Sequence, residues 1–114
     1  MSRIFMSVLV AGGLLVATSV ASAQTPAQVE AGKKVFADQK CSICHAVAGQ
    51  GNKKGALDGV GSKLSAAEIN QWIVNAPEMA AKAKAERKPA MKAFANIPKA
   101  DLDALVAYLQ SLKK

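Results

Sequence analysis

Cys41-Ser42-Ile43-Cys44-His45 is the stretch on which the reading of this chain turns. Its spacing is C-x-x-C-H, the pattern of covalent c-type haem attachment. Two thiols three positions apart on a helical turn share one face. They can bond the two vinyl-derived carbons on one edge of a porphyrin. His45 follows at once, so it is tethered under the iron and can bind it through an imidazole nitrogen. Ser42 and Ile43 set the turn and carry no required chemistry.

Three other uses of these residue types compete. A redox C-x-x-C of thioredoxin type belongs near a βαβ pattern, and no strand alternation occurs in this chain. Structural zinc wants four ligands, whereas the chain holds two cysteines and one histidine in all. A short disulfide beside an unrelated surface histidine would leave the contiguity of the five residues without a reason.

The N-terminal stretch reads as an export signal. Arg3 is a thin positive region, Ile4 to Val20 is mostly apolar, and Ala21-Ser22-Ala23 is an A-x-A cleavage site. Residues 1–23 are therefore expected to be removed, leaving residues 24–114 as one domain with Gln24 first. The alternative is an uncleaved anchor, since the apolar run approaches spanning length. Exported thiols usually become disulfides, but these two would be consumed by thioether bonds. A domain this short often needs a staple, and a covalently held haem would provide one. The formal net charge is +7, which favours acidic partners and salt-sensitive encounters. Nucleic acid is not expected of an exported chain with so few aromatics.

Outward from the motif, the chain punctuates itself. Thr25-Pro26-Ala27-Gln28 opens a helix as cap, first-turn proline and capping box. Val29, Gly32, Val35 and Phe36 then lie on one face, and this helix should end near Asp38. Ala46 to Lys63 reads as loop, rich in glycine with Asn52 and Asp58. It could wrap the histidine side of a haem, with Leu57, Val60 and Leu64 as anchors. Ser65 to Glu68 is a second capping box, followed by the stripe Ile69, Trp72, Ile73. Pro77 to about Arg87 should be another short helix, with Lys82, Lys84, Arg87 and Lys88 as a solvated face. Lys88 to Ile97 should be extended or turn-like. Pro98 opens a final helix carrying Leu102, Leu105, Val106, Leu109 and Leu112 at helical spacing. Its cap is weak, because neither Ile97 nor Pro98 offers a side-chain oxygen.

An iron bound by His45 has a second face. With no other histidine, the candidates there are Met79, Met91, water, or nothing. Met79 falls in a helical stretch, where methionine more often fills core. Met91 lies in a loop opened by Pro89, far enough past His45 for the chain to round the disc and return on the opposite side. This favours Met91, and a thioether raises the reduction potential of haem iron.

The chain resembles the small class I bacterial cytochromes c. Gly32-Lys33-Lys34-Val35-Phe36 is similar to the family's N-terminal helix motif, and Cys41 to His45 to its haem site. Gly55 to Gly61 resembles the G-P-x-L loop, Trp72-Ile73 the next helix, and Lys88 to Phe94 the methionine loop. Leu105 to Leu109 resembles the C-terminal helix. The resemblance implies an all-α cytochrome c fold of four to five short helices around one covalent haem, with the terminal helices crossing where Gly32 and Phe36 meet Leu105 and Tyr108. It implies Cys41 and Cys44 as attachment points, and His45 and Met91 as iron ligands. The family's proline carbonyl, which accepts the histidine's Nδ1–H, would fall on Ala56. Lys92 stands where the family often has proline after its methionine. Trp72 would reach a haem propionate through its indole N–H, or else pack as core beside Ile69 and Ile73.

With both axial positions filled, the resemblance implies a soluble, monomeric, periplasmic one-electron carrier and not an enzyme. Redox partner proteins with acidic docking surfaces would meet a lysine-rimmed haem edge, and no membrane anchor would remain after cleavage. Lys40, Lys53, Lys54, Lys88 and Lys92 are candidates for that rim. The rival from another class is an open-coordination haem protein, gas-binding or peroxidase-like. A further alternative is the cytochrome subunit of a larger exported oxidoreductase.

Overall fold

A computed structural model describes Gly12, Gly13 and residues 24–114. Apart from those two glycines, the export signal expected at residues 1–23 lies outside the described residues.

Helix α1, Pro26–Asp38, begins where the cap residues put it: Thr25 Oγ1 accepts the Gln28 backbone N–H at 3.1 Å. It buries Gly32, Val35 and Phe36. Across the domain runs α5, Lys99–Ser111, whose residues Ala104 through Leu109 are all buried. The two helices pack so closely at their crossing that a Cβ on Gly32 would overlap the Ala104 carbonyl oxygen and the Tyr108 Cβ. Phe36 and Tyr108 meet edge to face beside it, ring centroids 5.7 Å apart at 76°, a favoured aromatic geometry. A stripe of large residues does not by itself mark Ala104 and Ala107 as buried. They are buried because small side chains let neighbouring helices close on α5 from more than one direction.

Helix α3, Ala66–Val74, carries the complete capping box: Ser65 Oγ accepts from Glu68 N, and Glu68 Oε1 accepts from Ser65 N. Ile69 and Ile73 join Val35, Phe36, Leu105, Val106, Tyr108 and Leu109 in one core. Helix α4, Ala76–Ala83, stops short of the Arg87 expected from sequence. Lys84 takes the left-handed conformation at φ 52°, with Lys84 N bonded to Ala81 O and Ala85 N to Ala80 O. That is a Schellman stop made without its usual glycine, so composition carried no sign of it.

The stretch 46–63 is more ordered than a loop. Strands β1, Ala46–Val47, and β2, Gln50–Gly51, pair antiparallel, with Val47 opposite Gln50. Ala48 and Gly49 between them both have positive φ, 52° and 79°, the requirement of a two-residue type I′ hairpin. Asp58 Oδ1 accepts the Ala48 N–H at 2.9 Å and helps hold it there. Alanine is not a hairpin signal, and two-residue strands show no alternation to read. A 3₁₀ turn at Lys53–Gly55 and helix α2, Val60–Lys63, complete the stretch. The end of the chain is tied to α2: Gly61 N donates to Leu112 O at 2.8 Å, and Lys114 N to Ser62 Oγ at 3.1 Å.

Candidate functional site

The motif leaves α1 through Lys40, held left-handed at φ 57°, and enters a 3₁₀ turn at Cys41–Ile43. Cys44 N and His45 N both donate to the Cys41 carbonyl, at 3.1 and 2.9 Å. Cys44 caps that turn one 3₁₀ period after Cys41, and both cysteines line the same cavity. Both are half-buried and unpaired. Burial pushes the Cys41 thiol up from its ordinary value, with the neighbouring Cys44 adding to the effect and a backbone hydrogen bond opposing it.

His45 is half-buried, and its Nδ1 lies 2.9 Å from the Gly55 carbonyl oxygen. A carbonyl only accepts, so Nδ1 carries the proton and Nε2 keeps its lone pair. Burial holds the imidazole below its ordinary pKa, helped by the charge of Arg87 and opposed by the Gly55 bond. A neutral ring with a free Nε2 is what a metal requires. The carbonyl belongs to Gly55 and not to Ala56 as the resemblance implied. Counting back from Leu57, the position two before the leucine of G-P-x-L is Gly55. Ala56 bridges Ala46, and Leu57 N donates to Ala46 O at 2.8 Å, which fixes that register.

These groups face a cavity of about 310 Å³. Cys41, Cys44 and His45 form one part of its wall. Ile69, Trp72 and Ile73 of α3, with Leu105 and Leu109 of α5, form another. The segment after α4 supplies Arg87, Pro89 and Met91. Met79 does not reach the cavity. Trp72 is half-buried and lines the cavity beside Ile69 and Ile73. Phe94 N bonds the Ile73 carbonyl at 2.8 Å and so anchors the far end of the Met91 segment to α3. Arg87 is exposed, as the solvated face read from the sequence requires, but it also lines the cavity, which that reading did not include. Its one distinguishing mark there was being the only arginine after Arg3.

Two thiols on one cavity wall, a neutral imidazole with Nδ1 bonded and Nε2 free, and apolar walls around that cavity fit a covalently held haem. Together with the crossed terminal helices, they define a small helical haem-binding domain. The family model described as Cytochrome c matches residues 29–113. No curated protein and no solved structure matched the chain. The chain belongs to the cytochrome c family, and its mostly helical architecture is the all-α cytochrome c fold. Its cofactor is covalently attached haem c with iron, and its role is that of a haem-based electron carrier rather than an enzyme. Among the described residues, no helix is long and apolar enough to cross a membrane.

Proposed function

We propose that this chain is a soluble periplasmic one-electron carrier, exported by residues 1–23 and working as the monomeric domain 24–114. Cys41 and Cys44 would attach the haem, and His45 and Met91 would be the ligands of its iron. The observation that carries this reading is the shared cavity wall, which includes Cys41, Cys44, His45 and Met91 but not Met79. The group supplies a single-electron ferric–ferrous couple when bound.

The chain's own residues do the rest. The Gly55 carbonyl fixes the tautomer and ring orientation of His45. Ile69, Ile73, Leu105 and Leu109 keep water from the centre, and a dry surrounding raises the potential. The Trp72 indole N–H is suited to a haem propionate. Lys40, Lys53, Lys54, Lys88 and Lys92 are all exposed and suit docking to redox partners with acidic surfaces. Ile43, 67% exposed between the two cysteines, gives that face an apolar centre.

Absorption spectra of the purified ferric and ferrous protein test the ligands. A sulfur-to-iron charge-transfer band should be present in the ferric form, lost in Met91→Ala and kept in Met79→Ala. A band that survives Met91→Ala defeats the assignment. Mass spectrometry of exported protein tests the cleavage, with Gln24 expected as the first residue.

A second reading has one observation in its favour. Residues 81–90 are all exposed, and a loosely held Met91 segment would let small ligands reach the iron. Ready carbon monoxide binding by the ferrous protein would favour that open-coordination reading.

A further inference from the structure

Arg87 is the only arginine between residues 24 and 114, where every other fixed cation is a lysine. It also carries the one fixed charge in the cavity wall; no lysine or carboxylate lines it. The arginine reaches the cavity on its His45 side. A Cβ built on Gly55 would overlap Arg87 Nη1 and stand 3.0 Å from its Cζ. Gly55 is the residue whose carbonyl accepts the His45 Nδ1–H at 2.9 Å. A glycine there leaves the space that the guanidinium uses. The three ion pairs among the described residues join Lys33 to Glu30, Lys82 to Glu78 and Lys99 to Asp103. None of them neutralises Arg87.

We propose that Arg87 sets the reduction potential from the His45 side, as a fixed positive charge that favours the ferrous state. A bound haem would carry one positive charge fewer in its ferrous form than in its ferric form. A cation held beside the apolar cavity would favour the less positive form. At an effective dielectric near 20, a unit charge about 10 Å from another shifts an equilibrium on the order of tenfold. A haem carboxylate can share the guanidinium, which tempers the effect and leaves its sign unchanged. The proposal rests on His45 as iron ligand and does not need Met91.

Redox titration of the holoprotein compares wild type with Arg87→Gln and Arg87→Lys. At the ambient potential that half-reduces wild type, Arg87→Gln should be about tenfold more oxidised. Arg87→Lys keeps the charge and should stay within about threefold of wild type. Arg87 is exposed, so neither variant should cost the fold. A glutamine variant that titrates with wild type overturns the proposal. So does one that loses the sulfur-to-iron band while the lysine variant keeps it, because Arg87 would then act by holding the Met91 segment in place. If wild type itself lacks that band, the Met91 reading fails separately and the comparison of potentials still decides this one.

Discussion

The ring of His45 and the carbonyl of Gly55 are joined at 2.9 Å across a separation of ten residues. That bond makes the stretch between them part of the candidate haem site. Gly55 cannot take a side chain freely, because a Cβ there would overlap the Cys44 carbonyl oxygen as well as Arg87. Its N–H is also engaged, donating to Asn52 O at 3.1 Å. Gly55→Ala should destabilise the holoprotein by about 1–3 kcal/mol through overpacking and broaden the haem absorption band. Denaturant unfolding followed in the haem band checks both.

Gly32→Ala puts two effects against each other. Alanine improves helix propensity by about 1 kcal/mol. The added Cβ drives into the Ala104 carbonyl and Tyr108, and forcing two helices apart costs more than that. The net result should be a less stable protein with a weakened α1–α5 contact. A urea midpoint at or above wild type would mean that the crossing tolerates a wider spacing.

The hairpin turn should be improvable. Ala48 sits at φ 52°, where an ordinary L-residue is strained by about 1–2 kcal/mol and asparagine much less. Ala48→Asn should therefore raise stability by about 1 kcal/mol. Asp58→Ala, which removes the acceptor of the Ala48 N–H, should lower it by about the same amount. Thermal unfolding of the two variants and their double tests whether the carboxylate acts on this turn.

Alkaline stability should depend on Tyr108. Burial, the leading cause, raises its hydroxyl above the ordinary value of 10.0. The folded chain then keeps this proton at pH values where the unfolded chain has lost it. Stability from this source is complete below about pH 10 and falls as pH rises through the folded value. Tyr108→Phe removes the dependence, so the stability gap between wild type and variant should shift against wild type above about pH 10. Parallel curves in chemical denaturation from pH 8 upward would refute it.

Much of this site could be read because its chemistry is local. The thiols and the imidazole are contiguous, and Thr25, Ser65 and Glu68 mark helix starts by side chains that act within one turn. What could not be read depends on partners far along the chain. Lys84 ends α4 without a glycine, and Ala48 turns a hairpin with help from Asp58. Arg87 looked like one more solvated cation until the fold brought it against Gly55. The Gly55 carbonyl was within reach of sequence, by counting from Leu57, but only a register fixed through Ala46 and Ala56 decides between neighbours.

The ties from Gly61 to Leu112 and from Ser62 to Lys114 have a dynamic consequence. The Lys114 amide can open alone, but an opening that reaches Leu112 frees the Gly61 amide as well. Fraying of the last turn of α5 would thus be transmitted to the segment that follows Gly55. Isotope exchange at Gly61 would report how often the chain's far end lets go.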